Sequence, residues 1–280
     1  MGRRPPRRDA LKRTLDRLYA EFDFAGRALH DPISAPMDYP DPLDREASAF
    51  IAAALAYGRV GLFMPVTRAV LAPMGKSPSA FLAGFDRRRD GRRFEGTTYR
   101  FQQEGDLLEM LAVLGRAYKT HGSLEALFMA HYDAGHEDIG PALGGFMGAL
   151  LRLHRGEPSR GLSHCFPSPA TGGAAKRACL FLRWMVRRAD IDFGLWQGVE
   201  PGKLVIPLDT HILRVGRCLG LTARKAAGWA TALEITASLR ALDPADPLRY
   251  DFALCHQGIS GVCASNKCAE CEIKTQSKGD

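Results

Sequence analysis

Val205-Ile206-Pro207-Leu208-Asp209-Thr210-His211-Ile212-Leu213-Arg214-Val215 is a short apolar run that ends in one acid and turns at once into an amphipathic segment. Leu208, Ile212 and Val215 recur at i, i+4 and i+7, which is one face of a helix. Asp209 stands just before that helix. There a carboxylate accepts from free backbone N–H groups and lies at the positive end of the helix dipole. Position alone makes Asp209 an N-cap. The rest of the chain decides whether it is also something else.

The surrounding text is helical. Apolar spacing predicts helices over about 9–24, 47–57, 62–71, 77–83, 107–118, 124–131, 139–153, 174–188, 223–242 and 248–258. Residues 31–42 read as a Pro-rich connector, 87–93 as a basic, solvated loop, and 189–204 as irregular. No repeat and no long alternating pattern interrupts this, so the class is all-α. The expected architecture is two helical domains with a cleft between them. Residues 44–160 form a barrel-like domain; 1–43 together with 161–280 form the other.

The chain has 280 residues, 46% of them hydrophobic, enough for one large or two modest domains. A net charge of +7 suits nucleic acid or another polyanion without requiring one. No apolar run approaches the roughly 20 residues that span a bilayer. Residues 1–8 are basic with no apolar stretch behind them, unlike a secretory signal. A cytoplasmic monomer with no membrane partner is expected.

Four of the seven cysteines gather near the C-terminal end as Cys255-x7-Cys263-x4-Cys268-x2-Cys271. In a reducing compartment such a group suits a metal better than disulfides. Four close thiolates hold zinc or an iron–sulfur cluster, and the spacing does not choose between them. One helical cysteine followed by three in a loop suits the differing depths of a cubane's corners.

Upstream, Pro167-Ser168-Pro169-Ala170-Thr171-Gly172-Gly173 leads into the helix that begins near Lys176. A glycine turn at a helix start exposes N–H groups, a ready phosphate site. Lys176 and Asp209, each at a helix start, are placed to meet across a cleft. A lysine nucleophile must be neutral, which needs desolvation or a neighbouring cation such as Arg177. Taken alone, one lysine in a basic chain reads as a surface residue.

Asp209-Thr210-His211 with Arg214-Val215, followed by a helix and a Cys-rich loop, resembles the endonuclease III branch of the helix–hairpin–helix DNA glycosylases. Residues 165–271 carry the likeness. The resemblance implies a base-excision repair enzyme that flips a damaged base out of double-stranded DNA, with abasic-site lyase activity. Asp209 would be catalytic, and Lys176 would take the place of the lysine of the bifunctional members. Gly172, Gly173, Arg177 and His211 would contact DNA, and Tyr57 and Arg59 would fill the space left by the flipped base. Phe193 and Trp196 would line the base pocket, while Trp184 fits the core equally well. Cys255, Cys263, Cys268 and Cys271 would hold a [4Fe-4S] cluster, with zinc the alternative. The chain departs from the family pattern in three places: a longer hairpin containing Pro169, extra sequence over 193–202 that would form a lid or pocket wall, and a different cysteine spacing. The rival readings are a non-enzymatic nucleic-acid-binding protein on the same fold and a monofunctional glycosylase.

Overall fold

The structure, a computed structural model, describes residues 7–259. In chain order the helices are α1 (Arg7–Ala20), α2 (Phe24–Ala28), α3 (Ser34–Met37), α4 (Pro42–Leu55), α5 (Val60–Leu71), α6 (Pro78–Ala83), α7 (Arg87–Asp90) and α8 (Glu104–His121). There follow α9 (Leu124–Met129), α10 (Gly140–Arg152), α11 (Arg160–Cys165), α12 (Lys176–Val186), α13 (Thr210–Leu219), α14 (Trp229–Arg240) and α15 (Asp251–Ile259). Among the described residues there is no strand, only two isolated bridges. The class is all-α.

Helix α4 is the centre of the packing. Asp41 caps it, accepting from the N–H groups of Leu43 and Asp44 at 2.9 and 3.2 Å, and Pro42 suits its first turn. The helix therefore begins five residues before the start expected from apolar spacing, at an Asp-Pro signal. Residues 46–55 are all buried. Helices α3, α6 and α12 pack against it. Helix α8 lies on α6, where Gly115 faces the Leu82 carbonyl so closely that a Cβ would strike it.

Three other expectations need correction. The 31–42 connector contains α3, and Ile33, Ser34, Ala35 and Pro36 are buried beneath α4. The basic stretch 87–93 is helical: Asp86 caps α7 through Arg88 and Arg89 N–H, and Arg89 pairs with buried Asp90 at 2.6 Å. The helix expected over 223–242 begins only at Trp229, because Gly228 takes an extended conformation there.

Helix α12 carries Arg177 and Arg183 into the interior, and Arg187, the residue that ends it, is buried as well. Arg183 pairs with Asp192 at 3.0 Å and with Asp251 at 2.8 Å. Arg187 pairs with Asp190, Asp192 and Asp246 at 2.7 to 2.9 Å. Buried charges are tolerable only when matched and hydrogen-bonded in this way. The network fastens α12 to the start of α15 and to residues 190–192. It fixes where both helices bring their next turn.

Candidate active site

Helix α12 starts at Lys176 and α13 starts one residue after Asp209. The two starts converge: Lys176 Nζ lies 3.3 Å from Asp209 Oδ2. The Asp209 carboxylate divides its work. Its Oδ1 accepts from the backbone N–H of His211 and Ile212, both at 2.9 Å, which is the cap. Its Oδ2 is left to face Lys176. Lys176 is about a third exposed and Asp209 about half that, so the pair is open to an incoming group.

The start of α12 is unusual. No side chain caps it, and the preceding residue, Ala175, holds a left-handed conformation at φ +46°. Such backbone costs a non-glycine residue on the order of 1 kcal/mol. Gly172, also left-handed at φ +78°, closes the turn by donating to the Pro169 carbonyl at 2.9 Å. Its own carbonyl accepts from Trp229 N–H at 3.0 Å, which ties the turn to α14. Gly172 and Gly173 are both exposed. The Gly172 amide is thus spent inside the turn and is not offered to a phosphate.

Helix α15 supplies a third group. Cys255 Sγ donates to Asp209 Oδ2 at 3.9 Å. Burial pushes its thiol well above the ordinary range, Asp209 and Asp251 add to this, and Lys176 opposes it. Arg214 joins α13 to the end of α15 through the Gly258 carbonyl at 2.6 Å and lies 3.4 Å from His211 Nδ1. Gly258 is required there, since a Cβ would come within 2.7 Å of His211 Cβ. His211 is consequently half-buried in the α13–α15 contact.

Two further carboxylates matter that sequence spacing did not single out. Asp31 sits in the turn before α3. Burial pushes it up to about 6, while Ile33 N–H and the charges of Arg183 and Lys176 pull it back. Nothing periodic marks a lone acid before a proline. Glu46 is buried in α4 and accepts four hydrogen bonds, from Leu124 and Glu125 N–H, Tyr118 Oη and Trp196 Nε1. An acid in the middle of an apolar helix face was the available signal.

Several residues expected at the site are elsewhere. Arg177 is buried, with Nη1 on the Ala54 carbonyl at 2.6 Å, Nη2 on the His164 carbonyl, and its guanidinium 5.3 Å from the Tyr57 ring centre. It staples α12 to α4 and α11, and two of its nitrogens are engaged by these carbonyls. Trp196 is 1% exposed, its ring 5.3 Å from those of Phe128 and Phe181 and its Nε1 2.7 Å from Glu46 Oε2. It is a core anchor rather than a pocket wall. Phe193 is half-buried beneath the Arg45 guanidinium at 5.0 Å. The 189–204 stretch is therefore strapped onto α4 and α12. Trp184 is wholly buried.

Tyr57 donates to Gln102 Oε1 at 2.8 Å, and Arg59 stands exposed before α5. Around them lie Arg100, Phe101, Arg160 and His164 in mutual ring and cation contacts. Burial holds the His164 imidazole down to about 4, so it is neutral beside these cations.

Of the expected metal ligands, Cys263, Cys268 and Cys271 lie outside the described residues. Among the described residues no group of three or more His, Cys, Asp or Glu side chains is arranged to hold a metal. Cys255, within the described residues, faces the Asp209 carboxylate at 3.9 Å.

No helix among the described residues is long and apolar enough to cross a membrane. Neither a curated protein nor a solved structure matches the chain. A family model described as "Protein of unknown function (DUF2400)" matches residues 31–260, a span that begins at Asp31 and runs through Lys176, Asp209 and Cys255. The chain belongs to this family.

Proposed function

We propose that the protein is a DNA glycosylase of base-excision repair with an abasic-site lyase step. The observation that carries this reading is the 3.3 Å approach of Lys176 Nζ to Asp209 Oδ2 at two converging helix starts. A duplex would dock over the cleft between two helical domains, and a damaged base would rotate out towards the pair. The turn between α11 and α12 would act as the hairpin of a helix–hairpin–helix motif, with the exposed Gly173 near a phosphate. Tyr57 and Arg59 would occupy the vacated stack, in an aromatic and basic surface suited to nucleic acid.

The chemistry follows from the division of labour in Asp209. Its free oxygen takes a proton from the Lys176 ammonium, leaving a neutral amine. The amine attacks C1′ as the bond from C1′ to the base breaks, and the base leaves with the proton that Asp209 took from Lys176, so that Asp209 is again a carboxylate. The carboxyl group, as carboxylate, stabilises positive charge developing on the sugar. The C1′–O4′ bond of the sugar ring then opens as O4′ takes a proton from the nitrogen, and the resulting protonated Schiff base acidifies the C2′ proton, whose loss expels the 3′ phosphate. The cap hydrogen bonds hold the acid in place throughout.

In the same proposal Cys263, Cys268 and Cys271 would serve a [4Fe-4S] cluster, or zinc, as a structural element near the DNA. The enzyme would act in the cytoplasm as a monomer.

Borohydride trapping on an abasic duplex tests the lyase step. A covalent adduct in the wild type, absent in Lys176→Ala, is expected. Base release without an adduct would make the enzyme monofunctional. Tight binding with no release from any member of a panel of single-lesion duplexes would make it a non-enzymatic DNA-binding protein.

A further inference from the structure

Helix α15 presents two residues one turn apart, Asp251 and Cys255, to the same side of α12. Asp251 meets Arg183 at 2.8 Å in the buried ion network. One turn further along, Cys255 meets Asp209 at 3.9 Å, and Asp209 meets Lys176 at 3.3 Å. Lys176 and Arg183 are seven residues apart on α12 and so share a face. The two layers are therefore built together: the Arg183–Asp251 pair sets the register of α15, and that register delivers the thiol to the acid. Arg214 locks the far end of α15 through Gly258, so the helix is held on both sides of Cys255.

We propose that Cys255 is a positioning residue of the Lys176–Asp209 pair and not a ligand of any metal that Cys263, Cys268 and Cys271 would bind. The thiol occupies the side of Oδ2 that Lys176 leaves free. It keeps water from that side and holds the carboxylate aimed at the amine. The charged groups around it are Asp209 from the start of α13, Lys176 from α12, Asp251 from its own helix and Asp31 from the turn before α3. Three carboxylates and one amine surround the sulfur, and the S–H is placed to donate to Asp209 Oδ2. The catalytic half of this inference rests on the glycosylase reading; the ligand half does not.

The experiment uses the full chain and has three arms. Iodoacetamide labelling of Cys255 at pH 8, followed by peptide mass spectrometry, is compared between wild type and Asp209→Asn. Labelling at least threefold faster in the variant is expected, since the carboxylate that suppresses the thiolate is gone. Equal rates overturn the contact. Metal content and visible absorbance are compared in Cys255→Ser and Cys263→Ser. Cys255→Ser is expected to match the wild type, whatever metal the wild type holds; loss of metal in Cys255→Ser overturns the proposal. In single-turnover base release, Cys255→Val is expected to slow the reaction about tenfold with duplex affinity unchanged, and Cys255→Ser to restore it. If the wild type releases no base, the glycosylase reading fails while labelling and metal content still decide the assignment of Cys255.

Discussion

Lys176 and Asp209 touch through one carboxylate oxygen while the other oxygen of the same group caps α13. The two roles of Asp209 are therefore separable by substitution. Asparagine keeps an oxygen for the cap and removes the charge; alanine removes both. Asp209→Asn should leave thermal stability within a few tenths of a kcal/mol, whereas Asp209→Ala should lose about 1 kcal/mol. Base release should be abolished by both. Denaturation midpoints beside single-turnover rates check the separation, and an active Asp209→Asn enzyme would refute the mechanism.

Ala175 is left-handed at the uncapped start of α12. Glycine takes that conformation without steric cost. Ala175→Gly should be neutral to stabilising by about 1 kcal/mol, and Ala175→Val should destabilise by more than that. Chemical denaturation of the three proteins measures this. If glycine destabilised, the left-handed turn would not be the native one.

The Arg183 guanidinium is 3% exposed between Asp192 and Asp251. Arg183→Met strands two buried carboxylates and should cost about 3–5 kcal/mol. Because Asp251 and Cys255 lie on one face of α15, the same substitution should also loosen the Cys255 contact. Amide exchange confined to α12 and α15 at mild destabilisation would read this.

Trp196 Nε1 supplies one of the four hydrogen bonds on the buried Glu46 carboxylate. Trp196→Phe keeps most of the ring packing and removes that donor. A loss of about 1–3 kcal/mol is expected, with duplex affinity unchanged. A specific loss of lesion binding at wild-type stability would instead return Trp196 to the pocket.

The helical class and the Asp209 cap were legible in the sequence because both are local. Apolar residues at i, i+4 and i+7 and an acid at a helix start leave their signature within a few positions. The 3.3 Å meeting of Lys176 with Asp209 was legible only as two helix starts, since their approach depends on how α12 and α13 pack. Arg177 and Trp196 were misplaced for one physical reason. Residue type marks Arg for phosphate and Trp for stacking, but each had a buried acceptor elsewhere in the chain, the Ala54 carbonyl and Glu46. Asp31 was hidden because the charges around it, Arg183 and Lys176 on α12 and Asp192 beyond that helix, lie far along the sequence.

Asp31 gives the last test, by pH. An ordinary carboxyl titrates near 3.8; burial moves this one up to about 6, against the pull of Arg183 and Lys176. A folded-state value above the unfolded one favours the neutral form. Its contribution to stability is therefore greatest below about pH 4, declines as pH rises to about 6, and is then a constant penalty. Asp31→Asn keeps the side-chain acceptor for Ile33 N–H and removes the titration. The variant should match the wild type near pH 4 and exceed it by about 1–2 kcal/mol at pH 7, allowing for partial exposure. Urea denaturation at several pH values gives the difference curve. A flat curve would mean that folding does not raise the Asp31 carboxyl and that burial is offset in full by Ile33 N–H and the charges of Arg183 and Lys176.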